Sequence, residues 1–532
     1  MDSSVPLQAI PAHIHRSYSP HLSPSDDVAL VRLGKKPVLK RTFGFLTILG
    51  FSCTVLITWE GSLISFMAGF LKSGGPSVIV YGFLVVWAGT ISVFATLSEL
   101  VSMAPTSVGQ YHWVSMLAPR SSRKFLGYIT GWLTIAGWQS ALATTTLGIG
   151  PLIQSLVLLT RPGYANEMQN WHRVMFSWAG LLLGFALNTI AGSLLAKFEG
   201  FILVLHLLGF FAILFPLVFL SDHATPNEVF NSFSDLGGWN RQALSFSVGM
   251  TGSVYCFIGG DAAIHMSEEI QNAAVVIPRS LLTGLTINGC LGLGMVLATL
   301  FSIRDIDAVL AENAMHPFMA IFHSAVGSTA GAAVLSSLVV VLSFSALIGC
   351  MASASRIYWA FARDRALPGW RIWKRVDRRT KIPFNSVVLT TVLTAIYSLI
   401  VMGDDAVFTG VTSVTISALF GSYFVAASLL LYCRLSGNIK APHHEDDLTN
   451  TMGQSLTWGP WRLRGWLGIG NNILACTFLL YTFFFSFWPY NSEVTAANFN
   501  WSVLSFGLII IFSLLYYTFW ARKDYSGPII EM

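Results

Sequence analysis

The stretch Phe257-Ile258-Gly259-Gly260-Asp261 places two adjacent glycines and a carboxylate in the middle of a long apolar run. A second stretch of this kind, Thr58-Trp59-Glu60-Gly61-Ser62, interrupts an apolar run near the start of the chain. Glycine weakens a helix interior, and a carboxylate within a bilayer costs on the order of 3 kcal/mol. Either stretch alone could serve close helix packing. The two together predict interrupted membrane helices, whose free backbone groups can bind a solute near the midplane.

Further apolar runs long enough to span a bilayer occur between and after these two stretches, over most of the chain. Only 11% of the residues are charged and 54% are hydrophobic, whereas soluble domains carry about 25% charged residues. Backbone groups in lipid must be satisfied within their own segment, so the runs predict helices. We predict an all-α polytopic membrane protein whose twelve spans are Gly44–Phe70, Pro76–Val101, Phe125–Leu159, Val174–Ala196, Phe198–Leu220, Leu244–Met266, Ser280–Ile303, Ala330–Met351, Val387–Met402, Val407–Cys433, Leu467–Phe487 and Ser502–Trp520.

The distribution of basic residues predicts the orientation of these spans. If the N-terminus lies inside, 26 of the 31 Lys and Arg residues fall in inside segments. The five in outside segments are Lys72, Arg161, Arg173, Arg241 and Arg304. Because cytoplasmic loops are enriched in Lys and Arg, this distribution predicts that both ends of the chain are cytoplasmic. One missed helix would reverse every later loop, so the distribution also favours twelve spans.

The polar segments outside the spans predict simple tails and loops. Residues 1–42 are polar, with Pro, Ser and His, and predict a disordered cytoplasmic tail. Residues 434–466 predict a cytoplasmic loop, and residues 521–532 a short cytoplasmic tail. The basic stretch Arg371–Lys381 could bind anionic lipid, although control of topology already accounts for it. The positive charges are spread over loops, which disfavours nucleic-acid binding, and the six cysteines show no metal-binding spacing.

Three sequence blocks in chain order resemble one family of transport proteins. The blocks are Ser98-Glu99-Leu100 through Ser102-Met103-Ala104-Pro105-Thr106 with Gly109-Gln110-Tyr111-His112-Trp113; Gly259 to Glu269 with Asn272-Ala273 and Pro278; and Ser355-Arg356 with Trp359 to Asp364 and Leu367-Pro368. They resemble the amino acid–polyamine–organocation (APC) superfamily, and more closely the fungal amino acid/choline/GABA permeases. In that family the blocks follow the second helix, form the sixth helix and its exit, and follow the eighth helix. The resemblance extends from about Phe43 to Trp520.

The resemblance implies a fold of two inverted five-helix repeats followed by two accessory helices. The transport core would then comprise residues 43–433, and the accessory helices residues 467–520. In related proteins the break in the first helix usually reads Gly-Ser/Ala-Gly, whereas this chain has Glu60-Gly61-Ser62. Glu60 replaces a glycine of the family, so the usual backbone site for a substrate carboxylate does not transfer directly.

The two carboxylates of the interrupted spans are the main candidate functional groups. By resemblance, Asp261 occupies a position where related antiporters carry a carboxylate linked to coupling. We predict that it binds the coupling proton or a cation; the alternative is a buried acid bonded to a neighbouring helix. Glu60 is predicted to bind the ammonium group of a substrate, because the first span holds no Lys or Arg to pair with it. The alternatives for Glu60 are pairing with a residue of another helix and protonation.

Further residues near the interruptions complete the predicted binding site. By resemblance, an aromatic side chain at the Tyr255 position closes over bound substrate, and aromatic faces attract desolvated ammonium groups by about 2 kcal/mol. Ordinary packing is the alternative for each aromatic residue, and for Trp59 it is the favoured one. The predicted substrate-binding residues are Trp59, Glu60, Gly61, Ser62, Trp138, Tyr255, Cys256, Phe257, Gly259 and Gly260, with weaker candidates at Gln139, Ser343 and Ser345.

Charged residues at the predicted cytoplasmic helix ends are interpreted differently. Glu268, Glu269 and Arg356 are predicted to act as inner-gate or loop-anchoring charges rather than as substrate ligands. The two histidines within spans, His206 and His265, are interpreted as structural rather than as proton relays.

The sequence therefore predicts a secondary active transporter, not an enzyme, that couples uptake of a small amine-bearing solute to protons. Amino acids, GABA and choline are the candidate substrates; a nutrient sensor without net transport and an amine exchanger or exporter are the alternative functions. The sequence has no GxxxxGK[ST] loop for ATP-driven pumping, and no metal or cofactor besides the proton is predicted. The predicted location is the plasma membrane, with the vacuole or another internal membrane as the alternative. Its predicted partners are the substrate and membrane lipids, and the sequence does not fix an oligomeric state.

Overall fold

The computed structural model describes residues 24–65, 74–235, 237–303, 316–400, 405–441, 450–496 and 498–531. Helices account for most of this part of the chain, as the apolar runs predict. In chain order they are α1 Pro24–Arg32, α2 Phe45–Leu56, α3 Thr58–Ser65, α4 Pro76–Met103, α5 Gln110–Leu117, α6 Arg123–Thr160, α7 Asn170–Thr189, α8 Leu195–Phe219, α9 Pro226–Phe230, α10 Gln242–Tyr255, α11 Ala262–His265, α12 Ala273–Phe301, α13 Pro317–Val326, α14 Thr329–Arg363, α15 Trp370–Trp373, α16 Phe384–Ile400, α17 Asp405–Leu435, α18 Gly465–Phe485, α19 Ser502–Tyr516 and α20 Arg522–Asp524.

Short elements connect these helices. Three 3₁₀ helices comprise Pro162–Asn166, Gly192–Leu194 and Ser267–Glu269, and a π-helical turn, Tyr517–Ala521, joins α19 to α20. Two strands, β1 Ile439–Lys440 and β2 Leu456–Thr457, pair in parallel. They lie in the predicted loop 434–466, of which residues 442–449 lie outside the described residues.

Within the described ranges, nine helical segments are long and apolar enough to cross a membrane. They are Phe45–Ile64, Pro76–Met103, Arg123–Thr160, Leu195–Phe219, Ala273–Phe301, Thr329–Arg363, Phe408–Leu435, Gly465–Phe485 and Ser502–Asp524. The three other predicted spans contain α7, α10 with α11, and α16, which are also helical but do not belong to this group of nine. The predicted residues 66–70, 401 and 402, and the basic residues Lys72 and Arg304, lie outside the described residues.

The central helix of the bundle is α6, which packs against α5, α7, α14 and α17. Two of its glycines permit this close approach. A Cβ atom on Gly131 would lie 2.3 Å from the Phe361 ring, and one on Gly137 would lie 2.5 Å from Leu419. Small residues at such crossings let the helix backbones come together, as is usual between membrane helices. The interrupted segments α2/α3 and α10/α11 lie beside this centre, because α11 packs against both α2 and α14.

Residues 24–42 of the predicted disordered tail are ordered in the structure. This segment begins with α1 and continues as ordered chain, in which Leu30 and Leu33 are buried. The Arg41 guanidinium donates 2.7 Å to the Ile270 carbonyl, which fixes the segment against the rest of the bundle. Residues 1–42 are polar overall, so the few apolar residues that hold this segment in place did not stand out in the sequence. Residues 1–23 lie outside the described residues.

The two described ends of the chain meet at one end of the bundle. The backbone N–H of Glu531 donates 2.7 Å to the carbonyl of Gly34. The backbone N–H of Lys36 in turn donates 3.0 Å to the Glu531 carboxylate. We call this end of the bundle the terminal face.

Candidate functional site

The first interruption lies at Ile57, one residue before the predicted stretch. Ile57 adopts a left-handed conformation, with φ 47° and ψ 38°, between the end of α2 and the start of α3. For a β-branched residue this conformation is an outlier. The predicted break residues Thr58 to Ser62 are helical instead, and the Gly61 N–H donates 2.6 Å to the Ile57 carbonyl. A helix tolerates Gly61, and the Ser62 hydroxyl bonds back to the Thr58 carbonyl at 2.7 Å.

The second interruption lies where the glycine pair predicts it. Helix α10 ends at Tyr255 and α11 begins at Ala262. Between them Gly259 has a φ of +100°, which residues with side chains rarely adopt. The glycine pair thus separates two helical segments of one apolar run.

The two interrupted spans contact each other close to their interruptions. A Cβ atom on Gly61 would lie 3.5 Å from the Cys256 sulfur. A Cβ atom on Gly259 would lie 3.1 Å from a Val55 methyl group and 3.4 Å from the Val55 carbonyl oxygen. The two stretches, which are far apart in sequence, therefore lie side by side in the structure.

Glu60 is buried and paired with a residue of another helix. Its carboxylate Oε1 lies 2.6 Å from Nδ1 of His206 in α8, and its side chain is 1% exposed. The Trp59 indole N–H approaches the same Nδ1 at 3.2 Å, and Trp59 packs edge-on against Phe210. Glu60 Oε2 has no hydrogen-bond partner within the described ranges. One carboxylate oxygen is thus occupied by His206, and the other is buried without a partner.

Asp261, at the start of α11, is buried against residues of α5 and α6. Gln110 Nε2 at the start of α5 donates 2.8 Å to Asp261 Oδ2, and the Trp138 indole N–H of α6 donates 3.2 Å to the same oxygen. His265 Nε2 lies 3.4 Å from Oδ2, one helical turn further along the chain. Asp261 Oδ1 lacks a hydrogen-bond partner in the part of the chain that the structure describes. Gln110 was not predicted, and Trp138, predicted as a substrate ligand, is bonded to Asp261.

Some of the other predicted site residues lie near the second interruption, and the rest make ordinary contacts between or within helices. Tyr255 lies near Thr144, Thr145 and Cys350, at the junction of α6 and α14. Phe257 packs on Phe83 with ring centroids 4.9 Å apart. The remaining residues are distributed as follows: Gly260 lies against the Phe94 ring, Gln139 bonds to Thr390 and Thr394 of α16, Ser343 bonds back to Val339, and Ser345 is buried without a hydrogen-bond partner among the described residues.

The predicted gate charges form buried ion pairs at the terminal face. Arg356 Nε donates 2.9 Å to Glu269. Arg363, which the sequence analysis did not select, donates from both Nη atoms to the two oxygens of Glu268, at 2.8 and 3.0 Å. These pairs join the 3₁₀ turn after α11 to the end of α14. The second and third of the sequence blocks therefore meet here.

A third buried charge pair extends this cluster to both chain ends. Lys35 Nζ lies 2.7 Å from Asp364, and both side chains are fully buried. The Tyr111 hydroxyl donates 2.8 Å to Asp364, and the Ile529 backbone N–H donates 2.9 Å to the same carboxylate. Burial lowers the pKa of Lys35, and the neighbouring Asp364 opposes that shift. Tyr111 belongs to the first sequence block, so all three blocks contribute to the terminal face.

The buried ring of His112 makes folding sensitive to pH. His112 is 2% exposed, and its Nε2 lies 3.1 Å from the Asn450 carbonyl, which requires Nε2–H. Burial lowers the pKa of His112 to about 4, against about 6.5 in an unfolded chain. As pH falls from 6.5 to 4, the unfolded state gains a proton that the folded state does not, so up to about 3 kcal/mol of stability is lost.

We expect this loss to be visible in thermal unfolding of the purified protein between pH 7.5 and 4.5. His112→Gln retains an N–H donor for Asn450 but cannot titrate, so its stability should decline less over the same range. At pH 7.5 the variant and the parent should unfold at similar temperatures. Parallel pH profiles for the two proteins would contradict the assignment.

The sequence of this chain is similar to those of several known proteins. The profile of a family described as "Amino acid permease" matches residues 43–514. A choline transporter of Saccharomyces cerevisiae is 28% identical over 493 residues, which cover 92% of this chain and 83% of that protein. An amino-acid permease of Arabidopsis thaliana is 27% identical over 519 residues, or 95% of this chain and 96% of that one. Both names denote transport proteins rather than enzymes, and the matched region contains both interruptions.

Proposed function

Because this chain belongs to the amino acid permease family, we propose that it is a proton-coupled secondary transporter of a small amine-bearing solute. The proposed substrates are an amino acid, GABA or choline. The proposed architecture is twelve membrane spans, ten of them in two inverted five-helix repeats, with the terminal face in the cytoplasm of a cell whose plasma membrane holds the protein. Interrupted spans at the first positions of both repeats are typical of such transporters.

The contact between the two interruptions is the observation that carries this proposal. Gly61 of the first predicted span lies against Cys256, and Gly259 of the sixth lies against Val55, so the two interrupted spans pack together at this point. Glu60 directly precedes Gly61 in the chain, Asp261 follows Gly259 by two positions, and both carboxylates are buried. A buried carboxylate is costly without a cation or a proton. Supplying one carboxylate with a substrate cation and the other with a proton would offset that cost.

The choice of an amine rests on Glu60 and its surroundings. Glu60 Oε2 is buried without a hydrogen-bond partner in the described chain, so it can accept from a substrate ammonium group. The names of the yeast and plant relatives, a choline transporter and an amino-acid permease, agree with an amine-bearing substrate. Tyr255, at the end of α10, supplies the aromatic face proposed to cover such a group.

The terminal face is proposed to act as the inner gate. In the conformation described, the Glu268–Arg363 and Glu269–Arg356 pairs tie the exit of the sixth predicted span to the end of α14. Release of a substrate toward this face would require these elements to separate. The pairs therefore favour a conformation closed on this side.

Uptake measurements test the proposed function. The protein would be expressed in a permease-deficient yeast and supplied with radiolabelled choline, GABA or each of a panel of amino acids, with and without a protonophore. We expect uptake of at least one amine that the protonophore suppresses. Uptake that persists unchanged after collapse of the proton gradient would overturn the coupling, and a protein at the membrane that takes up none of these compounds would overturn the substrate class.

Replacing Glu60 with Gln is expected to raise the apparent KM for the transported amine at least about tenfold. Hydrogen bonds to charged groups contribute about 1.5–3 kcal/mol, and each 1.4 kcal/mol is about a factor of ten in affinity. The measurement is the concentration dependence of initial uptake.

The matched control for this variant is Glu199→Gln. Glu199 of α8 is another buried carboxylate facing the first span, where it accepts a 2.8 Å hydrogen bond from Thr54. It is not part of the proposed site, so its replacement should leave the KM within about threefold, which is under 1 kcal/mol. Unchanged affinity of Glu60→Gln for every accepted amine would remove Glu60 from the site.

A further inference from the structure

We propose that His265 is the second half of the coupling site and shares the coupling proton with Asp261. This inference rests on the proposed proton coupling and replaces the structural role that the sequence suggested for His265. It follows from the hydrogen-bonding pattern of the ring and from its position beside Asp261. The two side chains are one helical turn apart, and both are completely buried.

The Ser107 carbonyl fixes the tautomer of His265. Its oxygen lies 3.2 Å from His265 Nδ1. A carbonyl can only accept a hydrogen bond, so Nδ1 must carry the hydrogen. In a neutral ring the other nitrogen, Nε2, is then an unprotonated acceptor. The backbone of one loop thereby determines which nitrogen of His265 can take up a proton.

The unprotonated nitrogen is the one that faces Asp261. His265 Nε2 lies 3.4 Å from Asp261 Oδ2 and receives no hydrogen bond from any described residue. If both groups were deprotonated, two lone pairs would face each other in a buried site. One proton on the pair removes this repulsion and leaves the pair electrically neutral as a whole. Because both facing atoms are acceptors, the pair favours binding one proton between His265 Nε2 and Asp261 Oδ2.

The surroundings of Asp261 favour placing that proton on the ring. Gln110 Nε2 and the Trp138 indole N–H already donate to Asp261 Oδ2. A protonated His265 would direct a third N–H toward the same oxygen, so the carboxylate would be surrounded by donors. Trp138 also packs edge-on against the His265 ring, with ring centroids 5.8 Å apart. Trp138 thus holds both members of the pair in place.

The loop after α4 controls the position of the ring. It supplies the Ser107 carbonyl and leads directly into Gln110. Between them Gly109 has a φ of +61°, and a Cβ atom there would lie 3.0 Å from His265 Cε1. Glycine therefore allows the loop to approach the ring closely. A movement of this loop would change the hydrogen bonds of His265 and Asp261 together.

Other titratable groups near the pair do not supply a counter-charge. Tyr423 of α17 and Cys350 of α14 interact electrostatically with Asp261, and both are neutral in their protonated forms. Helices α2 and α12 also pack against α11. Among the residues that the structure places, His265 alone forms an ion pair with Asp261, and no Lys or Arg does so. The proton balance is therefore simple: binding one proton changes the charge of the pair from −1 to 0, and release restores −1.

Two replacements of His265 separate a proton-binding role from a structural one. His265→Asn places an amide donor near the Nδ1 position, where it can still reach the Ser107 carbonyl. His265→Gln places an amide near the Nε2 position, where it can still donate to Asp261. Neither side chain titrates. The matched control is His112→Gln, because His112 is also a buried ring with one nitrogen on a carbonyl, yet forms no ion pair within the described chain.

The variants would be compared in proteoliposomes with the membrane potential clamped at zero and a pH gradient imposed. The probes are radiolabelled choline, GABA and the amino acid panel, each measured for gradient-driven accumulation and for exchange across equal pH. We expect both His265 variants to lose accumulation at least tenfold while retaining exchange, and His112→Gln to resemble the parent. Gradient-driven accumulation by His265→Asn would show a structural role and overturn the proposal. A parent protein that exchanges but never accumulates would instead overturn proton coupling itself.

A second measurement does not depend on the substrate. Because Trp138 contacts the His265 ring, protonation of the ring should change the fluorescence of Trp138. We expect a pH-dependent difference between the parent and Trp138→Phe that disappears in the His265→Gln background. The same pH dependence with and without His265 would overturn the proposal.

Discussion

Replacing Asp261 with Asn is expected to abolish accumulation driven by a pH gradient, from about a hundredfold to about onefold. Two pH units across the membrane supply about 2.7 kcal/mol per proton, which sustains about a hundredfold accumulation when one proton moves with each substrate. Asn cannot exchange a proton in this pH range. Without the Asp261 carboxylate, His265 also loses the negative charge that favours its bound proton. The gradient would then no longer be coupled to the substrate, whatever the substrate's charge.

This variant should preserve the structure around the site. Gln110 and Trp138 both donate to Oδ2, and the amide oxygen of Asn can accept both bonds. The amide nitrogen would occupy the position of Oδ1, which has no partner among the described residues. Proteoliposomes with the potential clamped at zero provide the measurement, and exchange across equal pH provides the control for a folded carrier. If Asp261→Asn accumulates substrate as the parent does, Asp261 is not the coupling group.

Replacing Arg363 with Met is expected to reduce the free energy of unfolding by about 3–5 kcal/mol, the usual result of removing one partner of a buried ion pair. Arg363 donates to both oxygens of Glu268 and also lies 4.3 Å over the Trp359 ring. Its removal leaves the Glu268 carboxylate buried without its cation. Thermal unfolding of the purified protein measures the change.

The double variant Arg363→Met with Glu268→Gln identifies the cause of this loss. It removes both charges, so no unpaired carboxylate remains buried, and we expect it to recover most of the lost stability. A double variant as unstable as the single one would show that the attraction within the pair, rather than the unpaired carboxylate, accounts for the loss. A single variant within about 1 kcal/mol of the parent, as expected for an exposed pair, would contradict a stabilising role for this contact.

The two interruptions were not equally predictable from the sequence. The glycine pair Gly259-Gly260 marks the second one directly, because glycine alone readily adopts the φ of +100° observed there. The first was predicted at Thr58 to Ser62 but lies at Ile57. Isoleucine disfavours the left-handed conformation in isolation, so local preferences indicate no break there. We attribute the location of the break at Ile57 to packing of the surrounding helices, which no residue pattern within the first span indicates.

The partners of the two predicted carboxylates were even harder to predict from the sequence. His206 lies 146 positions from Glu60, and Gln110 lies 151 positions from Asp261. The need of both carboxylates for a partner was predictable from their apolar surroundings, and pairing of Glu60 with another helix was one of the predicted alternatives. The partner itself was not predictable, because helix packing rather than spacing along the chain brings such residues together. Arg363 stood in a sequence block already noted for its resemblance, which was the available signal.

The meeting of both chain ends at Asp364 also has a consequence for biosynthesis. Lys35 is made first of these three residues, Asp364 later, and Ile529, whose N–H also bonds to that carboxylate, after both. During translation the hydrogen bonds of this charge pair therefore stay incomplete until the segment that contains Ile529 is made. A chain that stops before this segment would leave the Asp364 carboxylate without the Ile529 N–H donor.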